Sequence, residues 1–174
     1  NIFNSLPKAV DAAICNNRLF INGLGIGFDG EVLRSIKTVR RLGGHLGYLW
    51  IVIKKIFSFK EFTYQIKFSE NIINGKFLLV MVTNSSRTGG GFMVSPKANI
   101  ADGKLDMVLC KPLSLLKRLR YLPIVEKGKH LALDFIIHKE IQQIKITAER
   151  EIFAQLDGEL FSSKEFDITI LPKK

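Results

Sequence analysis

Residues 23–30 read GLGIGFDG, and the fold of the chain turns on what those glycines are for. Gly25-x-Gly27-x-x-Gly30 has the spacing of a dinucleotide-binding loop, where glycines let the main chain approach a pyrophosphate. The strand-like RLFIN (18–22) precedes it and the helical EVLRSIKTVRRL (31–42) follows. A dinucleotide site also wants an acid about 20 residues further on, to hold the ribose. Here the next acid after Glu31 is Glu61, and no βαβ alternation follows. The glycines are therefore read as permitting tight turns and close backbone approach. Asp29 then stands out as a carboxylate in a glycine loop. It is either the N-cap of a helix beginning near Gly30 or Glu31, or a polar contact to a substrate hydroxyl or an ion.

Outward from this loop the chain reads as mostly β. Over 31–42, Val32, Leu33, Ile36 and Val39 line one side of a helix and Arg34, Lys37 and Arg41 the other, with Gly43-Gly44 as the stop. GYLWIVIKKIFS (47–58) suits a helix or, by its β-branched content, a strand. FTYQIKF (62–68) alternates as a half-buried strand, and Asn74-Gly75 signals a hairpin turn. FLLVMV (77–82), apolar on both faces, predicts a central covered strand, and KLDMVLC (104–110) another. PLSLLKRLRYLPIVEKG (112–128) reads helical until Pro123. QQIKITAE, EIFAQLD and FDITILP close the chain as three strands. The expectation is a mainly β (α+β) fold, a two-layer β-sandwich with helical insertions.

A length of 174 residues with 47% hydrophobic residues suits one domain with a real core, residues 1–174. Two cysteines, Cys15 and Cys110, give neither a disulfide framework nor a metal-ligand spacing, and are read as free buried thiols in a reducing compartment. No signal peptide is visible, and YLWIVI is cut by Lys54 and Lys55, far short of the roughly 20 residues of a spanning helix. The opening NIFNSLPKAV lacks a Met and reads as an interior segment of a longer protein. The net charge of +10 is unevenly spread. Between Glu31 and Glu61 stand Arg34, Lys37, Arg40, Arg41, Lys54, Lys55 and Lys60 with no acid. Such a segment is either a solvated helical face or a surface for phosphates, on lipid headgroups, nucleotides or nucleic acid. It has little aromatic interleaving for base stacking, which argues against nucleic acid.

Three further glycine and acid clusters carry candidate chemistry. SSRTGGGFMVSPKA (85–98) holds three consecutive glycines, which serve a bend or a close approach. In NIADGKLD (99–106), Asp102-Gly103 before an apolar strand is a hairpin signal. Alternatively, Asp102 donates a carboxylate to a hard cation whose shell neighbouring carbonyls complete. QLDGELF (155–161) is again a turn, with Asp157 and Glu159 expected on the same side of an extended chain. Two carboxylates near one point can divide roles, one accepting a proton while the other stays ionised.

The order NGLGIGFDGEV, then TGGGFMVSPKANIADGKLDMV, then QLDGE resembles the bacterial diacylglycerol-kinase-like, YegS-type lipid kinases, relatives of the sphingosine kinases, over about residues 8–172. The resemblance implies the second domain of a two-domain NAD kinase/diacylglycerol kinase-like fold, with the N-terminal nucleotide-binding domain and its GGDGT-type motif absent from this chain. It implies an ATP- and Mg²⁺-dependent kinase that phosphorylates a lipid hydroxyl, diacylglycerol-like or sphingoid. Such an enzyme acts in the cytoplasm at the inner membrane face, and the fragment alone is expected to be inactive. By the same resemblance, Glu159 is the general base, Asp157 orients the turn or supports it, and Asp29 faces the cleft as a substrate-binding group. Asp102, with carbonyls of Asn99 and Lys104, is a structural Mg²⁺ site. A membrane lipid and an anionic membrane surface are the expected partners, nucleic acid is not, and exposed strand edges would allow a homodimer. Two other classes stay open: a kinase of a soluble substrate such as NAD, and a non-catalytic basic membrane-binding domain.

Overall fold

The computed structural model describes residues 8–38, 44–88 and 91–173. Val39, Arg40, Arg41 and Gly43 of the basic segment and its stop, and Gly89-Gly90 of the glycine run, lie outside the described residues, as does the side chain of Lys37. Ten strands and three helices follow in the order β1 (Ala12–Cys15), β2 (Arg18–Phe20), β3 (Gly23–Ile26), α1 (Phe28–Thr38), α2 (Gly44–Ser58), β4 (Phe62–Phe68), β5 (Asn71–Phe77), β6 (Leu79–Thr83), β7 (Leu105–Cys110), α3 (Leu115–Glu126), β8 (Ile136–Ile141), β9 (Gln143–Leu156) and β10 (Glu159–Leu171).

The strands form one antiparallel sheet in the order β2-β1-β10-β9-β3-β6-β7-β8, with the β4–β5 hairpin also docked on β9. The spine is the long β9–β10 hairpin, with a register shift between Ser163 and Glu165. Along its free edge β9 changes partner. Lys145–Ala148 pair with β4, and Ala154–Leu156 pair with β3. That change of partner branches the sheet at β9, so that two layers face each other across one core. One apolar core takes Leu24, Ile26, Val80 and Val82 from the β3–β6 side and Tyr64, Ile66, Ile144, Ile146 and Phe166 from the β4–β9–β10 side. Cys15 and Cys110 are free and buried, and burial pushes both thiols up to about 12.

The expected sandwich is therefore present, with three local corrections and one open choice resolved. Asn74-Gly75 is not a turn: both lie inside β5, opposite Gln65 and Tyr64. The chain reverses instead at 69–70, where Ser69 takes a φ of +48°. QQIKITAE and EIFAQLD are one strand, β9, because Glu149-Arg150-Glu151 sits where β9 passes from one partner to the other. The third helix runs past Pro123 to Glu126. The helix is held by packing on either side of the proline, through Leu119 and Leu122 and Val125. The ambiguous 47–58 segment is helical. The strands expected to be covered on both faces are so: β6 lies between β3 and β7, and every residue of β7 is buried.

Helices α2 and α3 lie over the outer face of β6–β7–β8. Met81, Val108, Cys110 and Ile136 point into that layer, where Tyr48, Leu122 and Val125 meet them. Arg118 fixes the two helices to each other. Its guanidinium donates to the carbonyls of Ile56 and Phe59, both at 3.0 Å, and pairs with Glu61 at 2.6 Å.

Candidate active site

The glycine loop serves close approach. A side chain at Gly25 would run into that of Asp29, and a Cβ at Gly30 would be driven into the main chain of Phe153 and Ala154. The loop thus presses the start of α1 against β9, the approach glycine permits. The helix starts at Phe28, one residue before Asp29, so Asp29 lies in its first turn and is not the N-cap. Its Oδ2 accepts a hydrogen bond of 2.7 Å from Nε2 of Gln155. Gln155 is itself buried, and its Oε1 accepts from the N–H of Gly158 at 2.9 Å. One amide side chain therefore couples the first turn of α1 to the β9–β10 turn. Burial pushes the Asp29 carboxyl up to about 6, with the Gln155 bond opposing the shift.

The turn expected at QLDGELF is present between β9 and β10, and it corrects the extended geometry expected of 157–159. Asp157 and Gly158 have φ of +47° and +85° and form the two-residue connection between Leu156 and Glu159, the conformation for which Asp-Gly is suited. Both carboxylate oxygens of Asp157 are occupied. Oδ1 accepts from Gly23 N at 2.7 Å and Asn22 N at 3.0 Å, and Oδ2 accepts from Ile21 N at 2.7 Å. This places Asp157 as the clamp between the turn and the loop entering β3. Glu159 opens β10 and is exposed. A pocket of mixed character joins Asn22, Asp29, Gln155, Asp157 and Gly158 to the apolar side chains of Val32, Leu33 and Ile36, so Asp29 and Asp157 share one site and Glu159 borders it in sequence.

Asp29 also lines a second space. An apolar cavity of about 110 Å³ lies between the β6–β8 face and helices α2 and α3, walled among others by Tyr48, Val52, Met81, Phe92, Leu122 and Val125. His130 adds a polar atom to that wall. Its Nε2 lies 2.9 Å from the carbonyl of Val94, and its buried Nδ1 has no partner among the described residues. No local pattern announces this cavity, since each of its residues reads singly as core. Gln155 was also missed as a coupling residue, because an isolated glutamine in a strand carries no local signal.

The expected ion loop lies apart from this pocket. Asn99, Asp102 and Lys104 are all exposed. Oδ1 of Asn99 accepts from Ala101 N at 3.1 Å, Oδ1 of Asp102 accepts from Lys104 N at 3.0 Å, and the Lys104 ammonium pairs with Glu140. Both side-chain oxygens are hard donors of the kind Mg²⁺ accepts, yet each is already tied within the loop. No group of three His, Cys, Asp or Glu gathers there or elsewhere among the described residues. The loop fits an ion only with carbonyl and water oxygens completing the shell. The chain does not reverse into a hairpin at Asp102-Gly103; it bends into β7, with Gly103 at φ +72°.

Of the basic segment, Lys55 pairs with Glu31 at 2.9 Å, and Arg34 stacks over Phe153 at 4.5 Å. No helix among the described residues is long and apolar enough to cross a membrane.

This fold and pocket have relatives. The chain belongs to the YegS C-terminal NAD kinase beta sandwich-like domain family, which it matches over residues 22–174. It is 29% identical over 166 residues, 94% of the chain and 53% of the relative, to a Shewanella frigidimarina protein named "Probable lipid kinase YegS-like". It is 23% identical to the diacylglycerol kinase of Bacillus subtilis, over 91% of the chain and 52% of that protein. A crystal structure of a Bacillus anthracis str. Sterne diacylglycerol kinase overlays with a TM-score of 0.65 at 24% identity, covering 95% of the chain and 52% of its own. Another structure from the same organism overlays with a TM-score of 0.73 at 27% identity, covering 95% and 54%. The chain spans about half the length of the curated relatives it matches.

Proposed function

We propose that this chain is the C-terminal domain of an ATP- and Mg²⁺-dependent lipid kinase, with a nucleotide-binding domain elsewhere in the full-length protein. The observation that carries the reading is the apolar cavity ending at Asp29, in a domain whose relatives are named lipid kinases. An acyl chain of a diacylglycerol-like or sphingoid acceptor occupies the cavity and leaves its hydroxyl end against Asp29, Gln155 and Asp157, on the polar side of the pocket beside the β9–β10 turn. Asp29, shared by the two spaces, contacts the polar end of the lipid.

Phosphoryl transfer asks a protein mainly for positioning and charge neutralisation. Glu159 accepts the proton of the lipid hydroxyl as that oxygen bonds to the γ-phosphorus of ATP, and the bond to the bridging oxygen breaks to release ADP. Asp157 positions Glu159 by fixing the turn that precedes it. Asn99, Asp102 and the Lys104 carbonyl would hold Mg²⁺, whose charge would brace the loop before β7. The full-length enzyme works in the cytoplasm at the inner membrane face, where its substrate lies.

The test is transfer of labelled γ-phosphate from ATP to a panel of hydroxyl lipids in anionic micelles, by the full-length protein. Phosphorylation of one or more lipids is expected, and none by residues 1–174 alone. No lipid product together with turnover of NAD would overturn the reading and make the acceptor a soluble alcohol.

A further inference from the structure

Helix α2 is apolar on the side that should face water. Its inward residues Tyr48, Val52 and Ile56 line the cavity. Its outward residues fall at helical spacing: Leu46 is 80% exposed, Trp50 56% and Phe57 59%, with Lys54 completing the stripe. A helix with large apolar side chains on both its inner and its outer side is ordinarily covered on both, and large exposed apolar side chains grouped together mark a contact surface. The stripe continues across the joint with α3. Arg118 holds the carbonyl of Ile56, next to Phe57, and Leu115 and Leu116, exposed at 39% and 80%, stand at the head of its own helix. The exposed charged residues bordering this ridge are basic. Lys54, Lys60, Lys117 and Arg120 are exposed, α2 has no acid, and the two neighbouring acids are taken up, Glu31 by Lys55 and Glu61 by Arg118.

We propose that the outer ridge of α2 and the head of α3 insert into the acyl region of an anionic bilayer, with the lysines and arginine at the headgroups. The inference rests on the lipid-kinase reading. The occupant is argued from charge and chemistry. A cationic rim complements anionic headgroups, a tryptophan on such a ridge suits the interface, and the cavity lies directly under the inserted helices. A lipid acceptor can then pass from the bilayer into the cavity beneath α2 and α3 without crossing water. The basic residues of α2 contribute to this face in company with those of α3, beyond the one-signed 31–60 segment seen in the sequence.

Trp50 is the one tryptophan of the chain and reports the insertion directly. The full-length protein, with any tryptophan outside this chain replaced by phenylalanine, is mixed with phosphatidylglycerol vesicles carrying brominated acyl chains. Trp50 emission should shift to the blue and be quenched, and neither should occur with phosphatidylcholine alone. Phe57→Ser with Leu116→Ser should weaken vesicle affinity by more than about tenfold, with unchanged circular dichroism and unchanged phosphorylation of a monomeric short-chain lipid. Three results would overturn the proposal. Vesicle binding without quenching puts another face on the membrane. Emission already blue in the lipid-free full-length protein means the rest of that protein covers the ridge. A blue shift that grows with protein concentration in the absence of lipid means a second copy covers it. Phosphorylation of the short-chain lipid in any of these cases leaves the kinase reading standing. Quenching with no phosphorylation of any lipid overturns that reading and leaves the docking face in place.

Discussion

Asp29 and Gln155, 126 positions apart, are joined by a 2.7 Å hydrogen bond from the amide nitrogen to the carboxylate. The bond puts a poorly solvated charge at the boundary between the apolar cavity and the pocket shared with Asp157. Because burial raises the carboxyl to about 6, the fold favours its protonated form. The stability linked to this group is fully present below the ordinary aspartate value and is lost as pH rises through about 6. Asp29→Asn, which can still accept from Gln155, should therefore melt several degrees higher than wild type at pH 8 and about equally at pH 4. The same variant should lose lipid phosphorylation. Equal melting temperatures at pH 8 would show that the carboxylate is well solvated.

The β9–β10 turn separates a positioning residue from a base. Asp157→Ala removes an acceptor that serves three backbone N–H groups and puts alanine at a positive φ. It should lower the melting temperature and the turnover together, since the turn that presents Glu159 loosens. Glu159→Gln, at an exposed position, should leave the melting temperature within a degree or two and cut kcat by about 10²-fold or more. Its KM for the lipid should change little. Turnover of the Glu159 variant within a few-fold of wild type would remove it as the base.

What was legible in the sequence followed from local pattern. Val80, Met81 and Val82 announce a strand covered on both faces, and Phe62 to Phe68 a strand with one wet face. The errors share a cause, which is that partners decide what a local signal means. Asn74-Gly75 is a turn signal in isolation, but opposite Gln65 and Tyr64 it is strand. Glu149-Arg150-Glu151 looks like a break, but it is where β9 changes neighbours. The site was legible as a set of glycine and acid clusters. Its coupling through Gln155 was not, nor was the cavity, because both depend on contacts between residues far apart in the chain.

His130 should make the protein sensitive to mild acid. The ring is fully buried against the cavity, and burial lowers its pKa, with the bond to Val94 acting the other way. A histidine kept neutral by the fold contributes stability that is complete above its ordinary value near 6.5 and is lost as pH falls below it toward the lowered folded value. His130→Gln keeps a donor for the Val94 carbonyl and removes the titration. The melting temperature of wild type relative to this variant should fall between about pH 6.5 and 5, and the difference should be constant above pH 7.5. Taking the difference cancels the opposite slope that Asp29 imposes over the same range. A flat difference down to pH 5 would mean the ring titrates as it does in water.

The cavity sets a size limit that chain length can probe. Val125 lines it from α3 and is only partly buried, so a larger side chain there extends into the free space without displacing β6 or β7. Val125→Phe should cost less than about 1.5 kcal/mol in stability, as a substitution that fills existing volume. If the space holds the acyl chain of the acceptor, the variant should raise KM for a long-chain lipid about tenfold or more. It should leave a short-chain analogue unaffected, because only the distal methylenes compete with the ring. Equal losses for long and short chains would point to a displaced α3, and a melting temperature far below wild type would confirm that cause. Unchanged kinetics for both, in a folded variant, would show that the acyl chain binds elsewhere and would leave Asp29 without its apolar neighbour as a reason for facing the substrate.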